Sequence, residues 1–226
     1  RLDHSVRTPD QARRMATDDI KVMLGLLDAR TVFGDDELRR DLTAQVFSDW
    51  RRNAPNRLPE LRDFVDERIA KHGELAHLLE PDLKESFGGL RDLTILRAIA
   101  ASSLTDVDHA AIREPAQVLL NVRDALHQVA ARPTDRLTLQ EHAAVAELLG
   151  IDSGDELLRT LSQAARTIAY RSDIAWHRVT RMTTPRRSLR NRRNSGALHD
   201  RTPLADGVVV QDGEAVLAKG VAPETD

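Results

Sequence analysis

The chain has 226 residues, of which 41% are hydrophobic, 31% are charged and 3% are aromatic. This balance is typical of a folded, well-solvated protein whose core is built mainly from Leu, Val, Ile and Ala. The net charge of −3 gives no general electrostatic reason to expect binding to nucleic acid or to an anionic membrane. The chain contains no cysteine, which excludes disulfides, thiolate metal sites and cysteine nucleophiles.

The hydropathy of the sequence and its first residues indicate where in the cell the protein is expected. No apolar run approaches the roughly 20 residues that a membrane span needs, and no signal peptide is recognisable. We therefore expect a cytoplasmic protein. The chain opens with Arg1 rather than with an initiator methionine, from which we expect it to begin within a longer protein.

The first predicted element is a helix that begins after Thr8. Thr8 can cap it, Pro9 fits the first helical position, and Gln11 completes a capping box. We expect this helix to run to about Arg30, and the few residues before it to be the end of a β-strand. The apolar stripe of the predicted helix consists of Ala12, Met15, Ala16, Ile20, Met23, Leu24 and Leu27.

Apolar spacing predicts a second helix around residues 38–50 and a third that opens at Pro59. The pattern breaks at Gly73, and a fourth helix is expected after Gly88 and Gly89. All of these helices carry apolar residues three or four positions apart. This spacing gives each helix one face to bury against its neighbours.

Three more helices complete the predicted bundle. Pro115 predicts the start of the fifth helix. Thr138 and Glu141 form a capping box before the sixth, which Gly150 ends. The last helix is expected over about residues 153–181. Because short loops between long helices favour antiparallel neighbours, the sequence predicts a mainly α, antiparallel helical bundle.

The composition changes after residue 184. The basic residues there are Arg186, Arg187, Arg190, Arg192 and Arg193. No aromatic residues interleave with these arginines, so a solvated linker is favoured over a surface for nucleic acid or an acidic partner. Residues 208–210 and 215–217 flank Asp212 and Gly213, which predicts a C-terminal β-hairpin.

Residues 80–92 carry the most chemical information. A double glycine that opens a helix exposes unpaired backbone N–H groups at the positive end of the helix dipole, which suits a phosphate. Lys84 and Arg91 add positive charge nearby. In the alternative, Gly88 and Gly89 only make a tight turn while Arg91 and Asp92 hold neighbouring helices together, and the residues alone favour this alternative. The stretch is Glu80-Pro81-Asp82-Leu83-Lys84-Glu85-Ser86-Phe87-Gly88-Gly89-Leu90-Arg91-Asp92.

This stretch resembles the E-P-D-[IL]-K-x-x-x-G-G-L-R-D signature of the PII-protein uridylyltransferase/uridylyl-removing enzyme family. The predicted hairpin also lies where the family carries a short β element before its HD phosphohydrolase domain. The resemblance therefore covers nearly the whole chain, in order. Other matching segments are residues 4–8 (H-S-V-R-T, which ends the family's nucleotidyltransferase core), residues 19–30 with Gly34 and Asp35, then Arg123, Leu126, His127, Arg132 and residues 135–137.

The chain departs from the family pattern in two respects. His142 stands where the family often has glutamine. The family's catalytic G-S-x-x-R…S-D-x-D motif, whose carboxylates hold Mg²⁺ against the triphosphate, is missing and would precede Arg1. Asp106 and Asp108 offer a D-x-D without a preceding Gly-Ser, and we interpret them as helix-capping residues.

Metal and catalytic chemistry is not expected within the chain. His199 and Asp200 form a lone pair without the further ligands that an HD site needs, and the other histidines show no metal-binding spacing. We therefore expect no metal site and no catalytic residue here, and we expect the segment alone to be inactive.

The resemblance implies three parts: the C-terminal end of a nucleotidyltransferase core (residues 1–35), a helical bundle domain (36–182), and a basic linker with a hairpin leading to an HD domain (183–226). It implies that the whole enzyme uses Mg²⁺ to transfer a nucleotidyl group from UTP or ATP to a tyrosine of the PII nitrogen-signalling protein. The enzyme would reverse the modification in its HD domain and sense glutamine through ACT domains. Neither nucleic acid nor a membrane is an expected partner.

By the same resemblance, Lys84, Gly88, Gly89 and Arg91 are expected to line the side of the active cleft opposite the missing carboxylates. There they would steady the triphosphate or the PII loop. Two acidic residues, Asp82 and Asp92, would orient the cations. Arg123 and His127, four residues apart on one helix face, would either contact a ligand or form a polar seam between helices.

Two alternatives remain open at the level of sequence. Glutamine synthetase adenylyltransferase shares the helical domain and carries a G-G-I-R-D-I-E-F-x-x-Q motif. Thr94, Ile95 and Ala98 replace its Glu, Phe and Gln here, which favours the PII enzyme. A non-enzymatic helical module that only docks PII or another protein is the other alternative.

Overall fold

The computed structural model describes residues 5–183 and the backbone of three short strands at 202–205, 208–211 and 214–217. The chain divides into two compact units, Arg1–Thr183 and Thr184–Asp226. Among the described helices, none has both the length and the apolar character needed to cross a membrane.

The described part of the first unit is helical, which confirms the predicted mainly α fold. Two 3-10 turns, Leu75–His77 and Leu139–Glu141, lie between helices. The α-helices are α1 (Pro9–Asp18), α2 (Ile20–Leu27), α3 (Asp36–His72), α4 (Leu90–Ala101), α5 (His109–Ala130), α6 (His142–Leu149) and α7 (Gly154–Thr183).

The start of α1 is capped as predicted. The Thr8 hydroxyl accepts a hydrogen bond from the Gln11 N–H, and the Gln11 side chain accepts one from the Thr8 N–H. The prediction of one helix reaching Arg30 is wrong, because Asp19 has an extended backbone and its carboxylate accepts the Lys21 N–H at 2.7 Å. Asp19 therefore ends α1 and caps α2.

The prediction of two separate helices across residues 38–72 is also wrong, because α3 runs unbroken through Pro55 and Pro59. Both prolines lie on the exposed face of the helix, where the carbonyl groups that lose their N–H partners can be hydrated. The opposite face is buried from Val46 to Arg68, across both prolines. Its buried residues are Val46, Trp50, Ala54, Leu58, Leu61, Val65 and Arg68.

The start of α5 differs from the sequence prediction as well. The helix begins at His109 rather than at Pro115, because the Asp108 carboxylate accepts the Ala111 N–H at 3.1 Å and caps it. Asp108 thus has the capping role predicted for it. Pro115 is accommodated inside the helix.

The later helix boundaries agree with the sequence prediction. Thr138 and Glu141 form the capping box, which closes the 3-10 turn that leads into α6. Gly150 ends α6 with a φ of +68°. The Ser153 hydroxyl accepts the Glu156 N–H at 3.2 Å where α7 begins.

The core lies between α7 and the helices α4, α5 and α6, and it continues to α3, α1 and α2. It is built mainly from aliphatic side chains, as the composition predicts. Its largest fully buried side chains are Leu58, Leu61, Leu75, Leu83, Ile95, Leu96, Ile99, Leu119, Leu126, Leu137, Leu157 and Leu161.

The described strands of the second unit are β1 (Thr202–Ala205), β2 (Val208–Gln211) and β3 (Glu214–Leu217), antiparallel in the order β1-β2-β3. Gln211 pairs with Glu214. The predicted turn residues 212–213, the arginine run and the pair at 199–200 lie outside the described residues. Residues 5–8 form no regular structure and 1–4 are not described, so the N-terminal strand stays a prediction.

Candidate functional site

Residues 80–89, the motif loop, precede α4 and are tied by backbone hydrogen bonds to the segment that follows α5. The Leu83 N–H donates to the Asp135 carbonyl at 2.7 Å, and the Leu137 N–H donates to the Pro81 carbonyl at 3.0 Å. These bonds place the motif loop beside residues 135–137. Two of the segments that carry the family resemblance are therefore neighbours in the structure.

The other end of the motif loop is tied to the end of α3. The Phe87 N–H donates to the Gly73 carbonyl at 2.8 Å, and the Leu75 N–H donates to the Phe87 carbonyl at 2.9 Å. The Ser86 hydroxyl donates to the His72 carbonyl at 3.0 Å. The loop is thus anchored on both sides before α4 begins.

Asp82 shapes the turn that carries Lys84. Its Oδ1 atom accepts hydrogen bonds from the Lys84 N–H at 3.0 Å and the Glu85 N–H at 2.7 Å. An Asp side chain that binds the backbone two and three residues ahead fixes a local turn. Asp82 therefore acts on Lys84 through the backbone.

The two glycines occupy positions where a side chain does not fit. Gly88 has a φ of +84°, and a Cβ atom there would lie 2.6 Å from the Ala165 carbonyl oxygen on α7. At Gly89 a Cβ atom would lie 2.7 Å from the Ser86 carbonyl oxygen and 2.8 Å from that of Leu83. Close backbone packing thus explains the double glycine.

The backbone N–H groups at the start of α4 all donate to acceptors within the chain. The expectation that they are unpaired and available to a phosphate is therefore wrong, and this part of the structure agrees with the tight-turn alternative. The hydrogen bonds run from Gly88 to Asp92 Oδ2 at 2.6 Å, from Gly89 to the Ser86 carbonyl at 2.9 Å, from Leu90 to the Leu83 carbonyl at 3.0 Å and from Arg91 to the Lys84 carbonyl at 3.0 Å.

Asp92 forms a buried ion pair with Arg68, a residue of α3 that the sequence analysis did not single out. Only 3% of the Arg68 side chain and 1% of the Asp92 side chain are exposed. Burial raises the pKa of Asp92 to about 6, although the charge of Arg68 and the Gly88 N–H act in the opposite direction. Asp92 is therefore ionised at neutral pH and binds Arg68 and Gly88 together.

Lys84 and Arg91 keep about a third of their side chains exposed, at 37% and 30%. Lys84 Nζ lies 3.9 Å from Asp135 Oδ2, and Arg91 Nη2 lies 2.7 Å from Glu85 Oε1. Burial acts to raise the pKa of Glu85, but Arg91, Lys84 and Arg68 outweigh it and hold this pKa below its ordinary value. Both cations are thus partly neutralised and still accessible to solvent.

Arg123 and His127 converge on the same carboxylate as Lys84. Arg123 Nε donates to Asp135 Oδ1 at 2.5 Å. His127 Nε2 lies 3.8 Å from that oxygen, and this buried nitrogen has no hydrogen-bond partner within the described part of the chain. Asp135 thus gathers Lys84, Arg123 and His127 into what we call the Asp135 cluster, a set of polar contacts between α5 and the motif loop.

The sequence analysis did not name Asp135 as a site residue, although residues 135–137 belong to the family pattern. His142, which replaces the frequent glutamine, is 7% exposed and lies at the start of α6. Across residues 5–183, no group of three or more His, Asp or Glu side chains is arranged to hold a metal ion.

Comparison with known proteins identifies the family. The family profile described as GlnD PII-uridylyltransferase matches residues 60–102 and 95–176, and so includes the motif loop, Arg68 and the Asp135 cluster. This chain belongs to that family. No solved structure matches the chain.

The GlnD-family relatives include three actinobacterial proteins, each named bifunctional uridylyltransferase/uridylyl-removing enzyme. That of Streptomyces coelicolor is 53% identical over 232 positions, covering 100% of this chain and 28% of the relative. That of Mycobacterium tuberculosis H37Rv is 38% identical over 236 positions, with the same coverages of 100% and 28%. That of Corynebacterium glutamicum is 32% identical over 219 positions, covering 97% of this chain and 31% of the relative. The chain thus spans less than a third of these relatives.

Proposed function

We propose that this chain is the helical part of a bifunctional enzyme that transfers a nucleotidyl group from UTP or ATP to the PII protein and removes it again. The observation that carries the proposal is the match of the GlnD family profile to residues 60–176, supported by 53% identity to the Streptomyces coelicolor enzyme over the whole chain. The catalytic carboxylates and their Mg²⁺ would belong to the rest of that enzyme. The described residues offer no cluster that fits the metal.

Within such an enzyme, the motif loop would form one wall of the transfer cleft. Lys84 and Arg91 would supply positive charge where negative charge develops on the transferred group. Their partial exposure supports this role, as do the position of Lys84 on the anchored motif loop and that of Arg91 at the start of α4. Gly88 and Gly89 would contribute by allowing close backbone packing and not by binding the phosphate, because their N–H groups already donate to acceptors within the chain.

The Asp135 cluster would support the same wall. Asp135 holds Arg123 at 2.5 Å and lies 3.9 Å from Lys84, so it links the motif loop to α5. Asp82 would orient Lys84 through the turn that it closes, and Asp92 would orient the start of α4. His127 would add a second contact to the phosphate or to the PII loop.

The remaining parts of the chain would connect this wall to other domains of a cytoplasmic enzyme. Residues 1–35 would end the nucleotidyltransferase core with a short strand, and residues 36–182 would form an antiparallel bundle. Residues 183–226 would lead, by a linker and hairpin, to the HD domain that removes the nucleotidyl group. Glutamine would act on the enzyme through ACT domains.

The test is the intact mass of the cognate PII protein after incubation with the full-length enzyme, Mg²⁺ and either UTP or ATP. We expect one added uridylyl or adenylyl group per modified subunit with one of the two nucleotides. When the nucleotide is then withdrawn and the incubation is continued, we expect the enzyme to remove this group and the added mass to be lost. Enzyme without Mg²⁺ serves as the control. No mass gain with either nucleotide, from an enzyme shown to be folded, would overturn the proposal.

A further inference from the structure

Arg68 reaches further into the motif loop than a helix-to-helix ion pair requires. Its Nη1 atom donates to the Glu85 carbonyl at 2.5 Å and to the Ser86 carbonyl at 3.3 Å. Its Nη2 atom donates to Asp92, whose second carboxylate oxygen accepts the Gly88 N–H at 2.6 Å. One guanidinium group thus fixes residues 85, 86 and 88, the last of them through Asp92.

Stability alone does not account for this arrangement. A buried ion pair contributes little net stability, because the desolvation of two charges offsets their attraction. Helices α3 and α4 already share an apolar core, and the Trp50 indole N–H donates to the Ala98 carbonyl at 2.7 Å. What the guanidinium adds is one defined conformation of the loop backbone, since a planar fork of donors satisfies several acceptors at once.

The residues fixed by Arg68 are neighbours or partners of the exposed cations Lys84 and Arg91. Lys84 directly precedes Glu85, whose carbonyl Arg68 holds. The Glu85 carboxylate in turn binds Arg91 at 2.7 Å. A shift of the peptide between Glu85 and Ser86 would therefore move both cationic side chains. The positions of the Lys84 and Arg91 side chains therefore depend on Arg68, a buried residue of α3.

We propose that Arg68 is a positioning residue for nucleotidyl transfer, which acts through the motif loop to set where Lys84 and Arg91 meet the phosphate groups of the nucleotide. The inference rests on the proposed function. Arg68 itself is buried and does not contact substrate. Its proposed contribution is to hold Lys84 and Arg91 in the positions from which they contact the nucleotide.

The test compares Arg68→Lys and Trp50→Phe in the full-length enzyme. Arg68→Lys keeps the buried charge beside Asp92 but loses the fork that holds the two carbonyls. We expect kcat/KM for the nucleotide to fall by about tenfold or more, because small misplacements of positioning groups are costly. Trp50→Phe weakens the same α3–α4 contact without touching the loop, and we expect it to lower Tm while leaving kcat and KM unchanged.

A second variant covers the case in which Arg68→Lys does not fold. Asp92→Asn replaces one of the two carboxylate oxygens by an NH2 donor, so either Arg68 or the Gly88 N–H loses the oxygen that it donates to. We expect the same loss of kcat/KM. Transfer kinetics within twofold of the wild type, in whichever of the two variants is folded, would overturn the proposal.

Hydrogen exchange of residues 80–92 separates this inference from the proposed function. We expect faster exchange over residues 85–89 in Arg68→Lys than in the wild type or in Trp50→Phe. Unchanged exchange would show that Arg68 does not fix the loop and would overturn the inference. A wild-type enzyme that does not modify PII would instead overturn the proposed function, and exchange would still decide whether Arg68 fixes the loop.

Discussion

A Cβ atom on Gly88 would lie 2.6 Å from the carbonyl oxygen of Ala165, so the motif loop and α7 are in direct backbone contact. The backbone of α7 cannot retreat easily, because Leu161 and Ile168 on either side of Ala165 are buried in the core. Gly88 also has a φ of +84°, which is unfavourable for any residue with a side chain. Two independent constraints therefore act at one position.

Gly88→Ala should be strongly destabilising. The added methyl group has to displace helix backbone as well as adopt a strained φ, and we expect the free energy of unfolding to fall by about 3 kcal/mol or more. Chemical denaturation of the chain measures this change. Gly150→Ala is the matched control, because its φ is +68° and no atom lies within 4 Å of the added carbon. There we expect a loss of only about 1 kcal/mol, and equal losses at the two positions would contradict the account.

The pH dependence of stability should report on Asp92. The pKa of Asp92 is about 6 in the folded protein and 3.8 when unperturbed. At pH values between these two, the folded protein keeps this proton while the unfolded chain has lost most of it. The stabilising contribution of that proton is present at low pH and is lost as the pH rises through this window. Relative to Asp92→Asn, the wild type should therefore lose stability from pH 3.8 to about 6.

This comparison uses denaturant midpoints measured at several pH values for both proteins. The other titrating groups, including Glu85, are present in both and largely cancel in the difference. A stability difference that stays constant over this range, or that grows in favour of the wild type as the pH rises, would show that burial does not raise this pKa.

Local sequence patterns predicted the features of this fold that depend on residues a few positions apart. The capping boxes at Thr8 and Thr138 formed as predicted, because each needs only one partner three residues further on. The start of α4 after Gly89 was predicted from another local feature, the double glycine. Lys84 and Arg123 were singled out from matched motifs, and the structure places both beside Asp135.

The features that the sequence analysis missed depend on long-range contacts. Pro59 suggested the start of a new helix, yet the stripe from Val46 to Arg68 is buried throughout and holds α3 together. Arg68 was not singled out, since nothing within its own helix shows that it will pair with Asp92, 24 residues away. The N–H groups of Gly88 and Gly89 were expected to be unpaired. The acceptors that pair with them come into reach only when the loop folds, which the sequence pattern does not show.

The prolines of α3 give a direct test of its continuity. In a continuous helix each interior proline removes one hydrogen bond, so Pro55→Ala and Pro59→Ala should each raise the free energy of unfolding by about 1–3 kcal/mol. Pro9→Ala is the control, because Pro9 occupies the first position of α1 and removes no helical hydrogen bond. If the alanine variants at 55 and 59 are no more stable than the wild type, the continuous helix is wrong.

Asp135 should be coupled more strongly to Arg123 than to Lys84. The Arg123 hydrogen bond is 2.5 Å long and partly buried, whereas Lys84 Nζ lies 3.9 Å away. Double-mutant cycles with alanine at each position should give a coupling free energy of about 1 kcal/mol for Arg123–Asp135 and under about 0.5 kcal/mol for Lys84–Asp135. The reverse order would mean that Lys84 is held by Asp135 and is not available to a phosphate.

The central claim is that Lys84 of the motif loop and Arg91 at the start of α4 take part in nucleotidyl transfer. The measurement that tests it most directly is kcat and KM for the nucleotide donor with Lys84→Ala in the full-length enzyme and the PII protein as acceptor. Lys71→Ala is the control, because Lys71 is an exposed lysine in the last turn of α3, outside the motif loop. We predict that Lys84→Ala lowers kcat/KM by about tenfold or more while Lys71→Ala leaves it unchanged. Unchanged nucleotide affinity and transfer rate in a folded Lys84→Ala enzyme would contradict the claim.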